Sequence, residues 1–105
     1  MNILDEIEKL QETLIQDRRT LHQMPETTFD LDQTTAYIKK RLIEMGYTPH
    51  DLGNHGIVTT IGTGSPCLLL RSDMDALPMA EESGLDFAAH NGKMHACGHD
   101  LHMTM

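Results

Sequence analysis

The chain has 105 residues, with 8 lysines and arginines against 16 aspartates and glutamates and a formal net charge of −8. That balance disfavours nucleic acid and anionic membrane surfaces, which are bound through clustered cationic side chains, and no basic patch with interleaved aromatics offsets it. Cys67 and Cys97 are too few for a disulfide framework, the opening Met1-Asn-Ile-Leu-Asp-Glu turns acidic at once, and no apolar run approaches the ~20 residues of a membrane span, so a cytoplasmic domain with free thiols is expected.

Ile3, Leu4, Ile7, Leu10, Leu14, Ile15 and Leu21 recur at helical spacing, which predicts one amphipathic helix over residues 2–23 that stops before Pro25. Its acidic first turns and the Arg18-Arg19 pair near its end suit the helix dipole. Arg18, Arg19 and His22 read as a solvated face of that helix. Leu31, Ile38, Leu42 and Met45 mark a second helix over 32–45, with aspartate, threonine and glutamine at 30–35 as capping groups and Gly46 as its C-terminal cap.

Strand signals follow at 47–52, 57–61 and 67–72. Asn54-His55-Gly56 reads as a turn, and Gly62-Thr-Gly-Ser-Pro66 as a hairpin loop joining the last two strands antiparallel. A phosphate cradle in that glycine pair is the weaker reading, because neither a lysine nor a helix follows. The apolar run Cys67 to Leu70 reads as a strand buried on both faces. His50, His55 and His90 read as surface residues, and the irregular polar stretch 79–93 has Phe87 as its anchor. The fold class expected is α/β, with two helices followed by strands of a mixed sheet.

Two stretches carry chemistry. Residues 95–102, His95-Ala-Cys97-Gly-His99-Asp100-Leu-His102, hold three histidines, a cysteine and an aspartate within eight positions. Cys97 and His99, two residues apart, can share one face of an extended or turning backbone, and thiolate with imidazole favours zinc, nickel, cobalt or iron over magnesium and calcium. Gly98 removes side-chain bulk where the two ligands converge. His95 and His102 are further candidates, as ligands or as groups that orient them. With one convincing pair, the remaining ligands of a full site are expected in sequence outside this chain. Arg71-Ser-Asp73-Met-Asp75 closes the apolar run at a predicted strand end, where open sheets bind ligands. Asp73 or Asp75 could hold a metal-ligating histidine, ligate an ion or pair with Arg71.

Arg71-Ser-Asp73-Met-Asp75-Ala-Leu-Pro78, then Glu81-Glu82-x-Gly84-Leu-x-Phe87, then Gly92-Lys-Met94-His95-Ala-Cys97-Gly-His99-Asp100-x-His102, resemble the amidohydrolase branch of the M20 metallopeptidases, which includes aminoacylases, hippurate hydrolases and N-acetyldiaminopimelate deacetylases. Arg18-Arg19-x-Leu21-His22-x-x-Pro25-Glu26-x-x-Phe29 resembles that branch's opening motif. The resemblance implies the N-terminal portion, over 1–105, of a zinc-exopeptidase-like catalytic domain in a longer, homo-oligomeric enzyme. It also implies two divalent metal ions (zinc, manganese, cobalt or nickel) and hydrolysis of the amide bond of a small N-acyl amino acid. Cys97 and His99 match metal ligands of the branch, and Asp73 matches its strand-end catalytic aspartate. Arg71 stands where the wider superfamily has a metal-binding histidine. The family's glutamate base and remaining ligands lie downstream of the Cys-Gly-His-Asp motif, so the chain by itself is expected to be inactive; the alternative is a non-catalytic metal-binding or remnant domain.

Overall fold

The computed structural model describes residues 1–105. In chain order the elements are α1 (Ile3–Lys9), α2 (Gln11–Gln23), α3 (Asp32–Glu44), β1 (His50–Leu52), β2 (Gly56–Val58) and α4 (His99–Thr104). The single helix expected over 2–23 is divided at Leu10, whose N–H bonds Ile7 O at 2.9 Å, the tighter i−3 spacing of a closing turn. Asn2 caps α1 through its side chain, 3.0 Å from Leu4 N, and none of α1 is buried. The break separates a solvent-exposed helix from α2, which carries Leu21 into the core.

A carboxylate joins α2 to α3. Asp17 Oδ1 accepts from Tyr37 Oη at 2.6 Å and Arg41 Nε at 2.7 Å, while Oδ2 accepts from Arg41 Nη2 at 3.1 Å. Burial, then the bond to Asp17, raises the Tyr37 phenol above its ordinary value, and the two carboxylates of Asp17 and Glu44 raise the Arg41 guanidinium further.

The boundaries of α3 are those its apolar spacing predicts, but its N-cap differs. Leu31 occupies the cap position without a side-chain bond, and Glu26, brought in from upstream, accepts from Gln33 N at 3.1 Å and Thr34 N at 2.6 Å. A carboxylate at that end also meets the positive pole of the helix dipole. At the other end Gly46 N bonds Ile43 O and Tyr47 N bonds Leu42 O, both at 2.9 Å, a Schellman cap with Gly46 in the left-handed conformation.

β1 and β2 pair antiparallel, with His50 opposite Val58 and Leu52 opposite Gly56. The hairpin is closed across Gly53-Asn54-His55, and Gly56 is required there because a Cβ would lie 2.4 Å from Leu52 O. The strand expected at 67–72 does not form, nor does its pairing across the loop 62–66, and Leu68, Leu69 and Leu70 are 83%, 86% and 84% exposed. The reason is topological: a strand buried on both faces needs flanking strands and covering layers, and the sheet here has only two strands. Leu69 and Leu70 instead border an open groove of about 520 Å³ with Ile38, Ile57, Val58 and Met103.

The buried interior is as polar as it is apolar. Leu21, Leu31, Ala76, Ala88 and Ala89 are enclosed, and so are Asp17, His22, Thr34, Thr35, His95 and Asp100. Residues 73–98 fold back onto the segment that follows α2 through Ala76 N to Glu26 O at 2.7 Å and Asn91 Nδ2 to Pro25 O at 3.0 Å, and close on themselves through the isolated bridge of Leu77 with Met94. That fold-back delivers α4 to the face of α2.

Candidate metal centre

Cys97 and Gly98 lead into α4, which His99 opens. Gly98 has φ +94°, a left-handed conformation that costs an L-residue, whereas a Cβ placed there meets nothing within 4 Å. Its role is therefore the turn itself, and not the relief of bulk anticipated from the sequence.

His99 Nδ1 lies 2.7 Å from Asp75 O and 3.2 Å from Asp75 Oδ1, so Nδ1 carries the hydrogen and Nε2 presents its lone pair. Nε2 faces Asp73 Oδ2 at 3.8 Å, and Asp73 Oδ1 accepts from Arg71 Nη2 at 2.5 Å. The options left open by sequence thus divide between the two aspartates: Asp75 holds the histidine, while Asp73 pairs with Arg71 and stands opposite the free nitrogen. An imidazole anchored through one nitrogen by a carbonyl is the arrangement that fixes a ligand's tautomer and direction. Cys97 is an exposed free thiol, as is Cys67, and no disulfide joins them.

His95 is 4% exposed, and neither ring nitrogen has a partner. Burial lowers its ring below the ordinary histidine value, with the neighbouring His22 and His99 adding to the effect and Asp100 and Asp75 opposing it. A buried neutral imidazole with both nitrogens unused, two residues before the thiol, fits a region built to accept a soft ion. His102 is exposed, its ring tilted against that of His99 at 6.1 Å. The donor set is nonetheless partial: no three His, Cys, Asp or Glu side chains converge as a complete site. The region fits one side of a metal centre.

Behind α4 lies a charge cluster that the sequence reading placed in solvent. His22 is 2% exposed. Its Nδ1 is 2.8 Å from Asp100 Oδ2, and its Nε2 is 2.9 Å from each oxygen of Glu81. A carboxylate therefore faces each of its ring nitrogens. Arg18 Nε also donates to Asp100 Oδ2, at 2.9 Å. Glu81 accepts further from Ala89 N at 2.8 Å and Ser83 Oγ at 2.5 Å. Burial works to raise the Glu81 carboxyl, but the Ala89 N–H, the Ser83 hydroxyl and His22 outweigh it and hold the group at about 2. Phe87 covers the cluster, its ring edge-to-face with His22 at 5.4 Å and beneath the guanidinium groups of Arg18 at 5.0 Å and Arg19 at 4.7 Å. The expected solvated face holds for Arg19, which is exposed, and fails for Arg18 and His22, because those two continue the stripe of Leu14 and Leu21 at helical spacing, a signal present in the sequence but masked by their polarity.

A sequence model of peptidase family M20/M25/M40 matches residues 69–105. An N-acetyldiaminopimelate deacetylase of Streptococcus thermophilus is 42% identical over 98 residues, covering 87% of this chain and 26% of the relative. An N-acetyl-L-cysteine deacetylase of Bacillus subtilis is 45% identical over 97 residues, covering 89% of this chain and 23% of the relative. Among solved structures, the YXEP protein of Bacillus subtilis, a dinuclear metal-binding peptidase of the M20 family, matches with a TM-score of 0.85 at 36% identity, over 92% of this chain and 28% of that one. A structure from methicillin-resistant Staphylococcus aureus matches with a TM-score of 0.86 at 40% identity, over 97% of this chain and 28% of that one. Over most of its length the chain is similar to part of these M20 family peptidases and deacetylases. It spans about a quarter of the length of the relatives it matches.

Proposed function

We propose that this chain forms part of a metal-dependent amidohydrolase that cleaves the amide bond of N-acyl amino acids, with an N-acetyl group the acyl group favoured by the names of its relatives. The observation that carries the reading is His99, whose Nδ1 is engaged by Asp75 O at 2.7 Å while Nε2 is left toward Asp73. Cys97 and His99 would hold one divalent ion of a pair, with zinc, manganese, cobalt or nickel suited to thiolate and imidazole. When bound, such ions acidify a water and polarise the scissile carbonyl. Asp73 is the residue we assign to the catalytic side of that ion, its charge balanced by Arg71. Asp75 fixes the tautomer of His99 through its main-chain carbonyl. A general base to take the water's proton is absent from this cluster, so the 105-residue chain alone is expected not to turn over substrate. The cytoplasm, where Cys97 stays reduced, is the compartment such chemistry needs.

A graft tests this. The matching N-terminal quarter of the Bacillus subtilis N-acetyl-L-cysteine deacetylase is replaced by this chain, and hydrolysis of N-acetyl amino acids is followed with added divalent metal. The hybrid is expected to hydrolyse them, and Cys97→Ala to lower kcat/KM by at least the roughly 100-fold that loss of even an outer-shell partner can produce. A folded hybrid with no hydrolysis, or one indifferent to Cys97→Ala, would overturn the reading.

A further inference from the structure

Asp100 follows His99 directly and is fully enclosed, and its Oδ2 is held from two directions, by Arg18 Nε at 2.9 Å and His22 Nδ1 at 2.8 Å. Both holders come from α2, 82 and 78 residues away in sequence. His22 is fixed in turn by Glu81, which is fixed by Ala89 N and Ser83 Oγ. α4 has six residues and its N-cap, Gly98, provides no side-chain bond. A helix that short has no stability of its own in water, so its direction is set by what grips it.

We propose that Arg18, His22 and Glu81 are positioning residues for the Cys97 and His99 pair, acting through Asp100 to fix the first turn of α4 and with it the direction of His99 Nε2. Asp75 O anchors the ring of His99 at Nδ1, and the Asp100 clamp anchors the backbone that carries the ring; together they leave the imidazole one orientation. Stability is a poor reason for the cluster, because buried ion networks are commonly matched or exceeded by apolar packing of the same volume. Geometry is the better one. The proposal rests on the reading of Cys97 and His99 as metal donors.

The test is a Co²⁺ titration of the 105-residue chain, followed by the thiolate-to-cobalt absorption band and the d–d bands, with far-UV circular dichroism as the check on folding. The unsubstituted chain is expected to develop the thiolate band, and Cys97→Ala to abolish it. Glu81→Gln and Arg18→Met are expected to retain helical dichroism, weaken Co²⁺ binding by about 10–100-fold and alter the d–d spectrum. Arg18→Lys, which keeps the charge and one donor, is expected to recover part of the affinity. Should Glu81→Gln unfold, Arg18→Met decides, since the Arg18 side chain is 26% exposed at the cluster's rim. Unchanged affinity and spectrum in the folded variants overturn the positioning role while leaving the metal reading intact. Absence of the thiolate band from the unsubstituted chain, or its survival in Cys97→Ala, overturns both.

Discussion

Glu81 shows how one side chain couples this fold to pH. Its carboxyl sits at about 2 in the folded chain against an ordinary value of 4.5. Between those values the unfolded chain binds a proton that the folded chain does not, so stability rises with pH across that window. The contribution is fully present above about 4.5 and is lost as pH falls toward 2. The expected outcome is an acid limb in the urea midpoint over this range that becomes shallower in Glu81→Gln, measured by circular dichroism at a series of pH values. An unchanged limb would place the acid sensitivity elsewhere. Glu81 was legible in the sequence only as a member of a motif. Its partners were not, because the pairing of His22 with residues 59 and 78 positions away depends on how the chain returns to α2.

Helices were the most legible elements, since each carries its own hydrogen bonds and its apolar spacing lies within one segment. The course of α3 and its glycine cap follow the sequence closely. Its N-terminus does not, because the capping group, Glu26, lies outside the helix and reaches it across a turn. Glu26→Ala is expected to cost about 1 kcal/mol, in the range of lost N-caps, and Glu26→Gln less, since an amide oxygen can still accept. Chemical denaturation of the two variants checks the order; equal losses would show that charge and not acceptance matters there. Strands were read less well for a complementary reason. A strand's partner lies on another segment, and the apolar run at 67–72 found none in this chain.

At the scale of the whole molecule the chain is loosely built. Its radius of gyration is 14.9 Å, where a chain of this length packed as one compact domain has about 13 Å. Five apolar residues make up its buried core, while Leu68, Leu69 and Leu70 lie open, the last two beside a groove. Burying a leucine side chain is worth about 1.5–3 kcal/mol, so a run of three exposed together is a surface that favours apolar contact. Replacing all three with serine is expected to reduce the fluorescence of a bound hydrophobic dye severalfold while leaving the helical dichroism unchanged. Equal dye binding would place the dye on other exposed apolar side chains, such as Ile3 and Leu4 of α1 or Phe29.

The sequence by itself determined the course of α2 and α3, the donor types of the Cys97 and His99 pair, and the resemblance to the M20 peptidases, because these rest on local spacing and on residue types whose chemistry travels with them. Tertiary structure decided the rest. Which aspartate holds His99, why Gly98 is glycine, and that His22 and Asp100 are interior rather than solvated all depend on the return of residues 73–100 across α2. Contacts of that kind join segments far apart in the chain: helical spacing marks the face of α2 that carries His22, but not the residues that return to cover it.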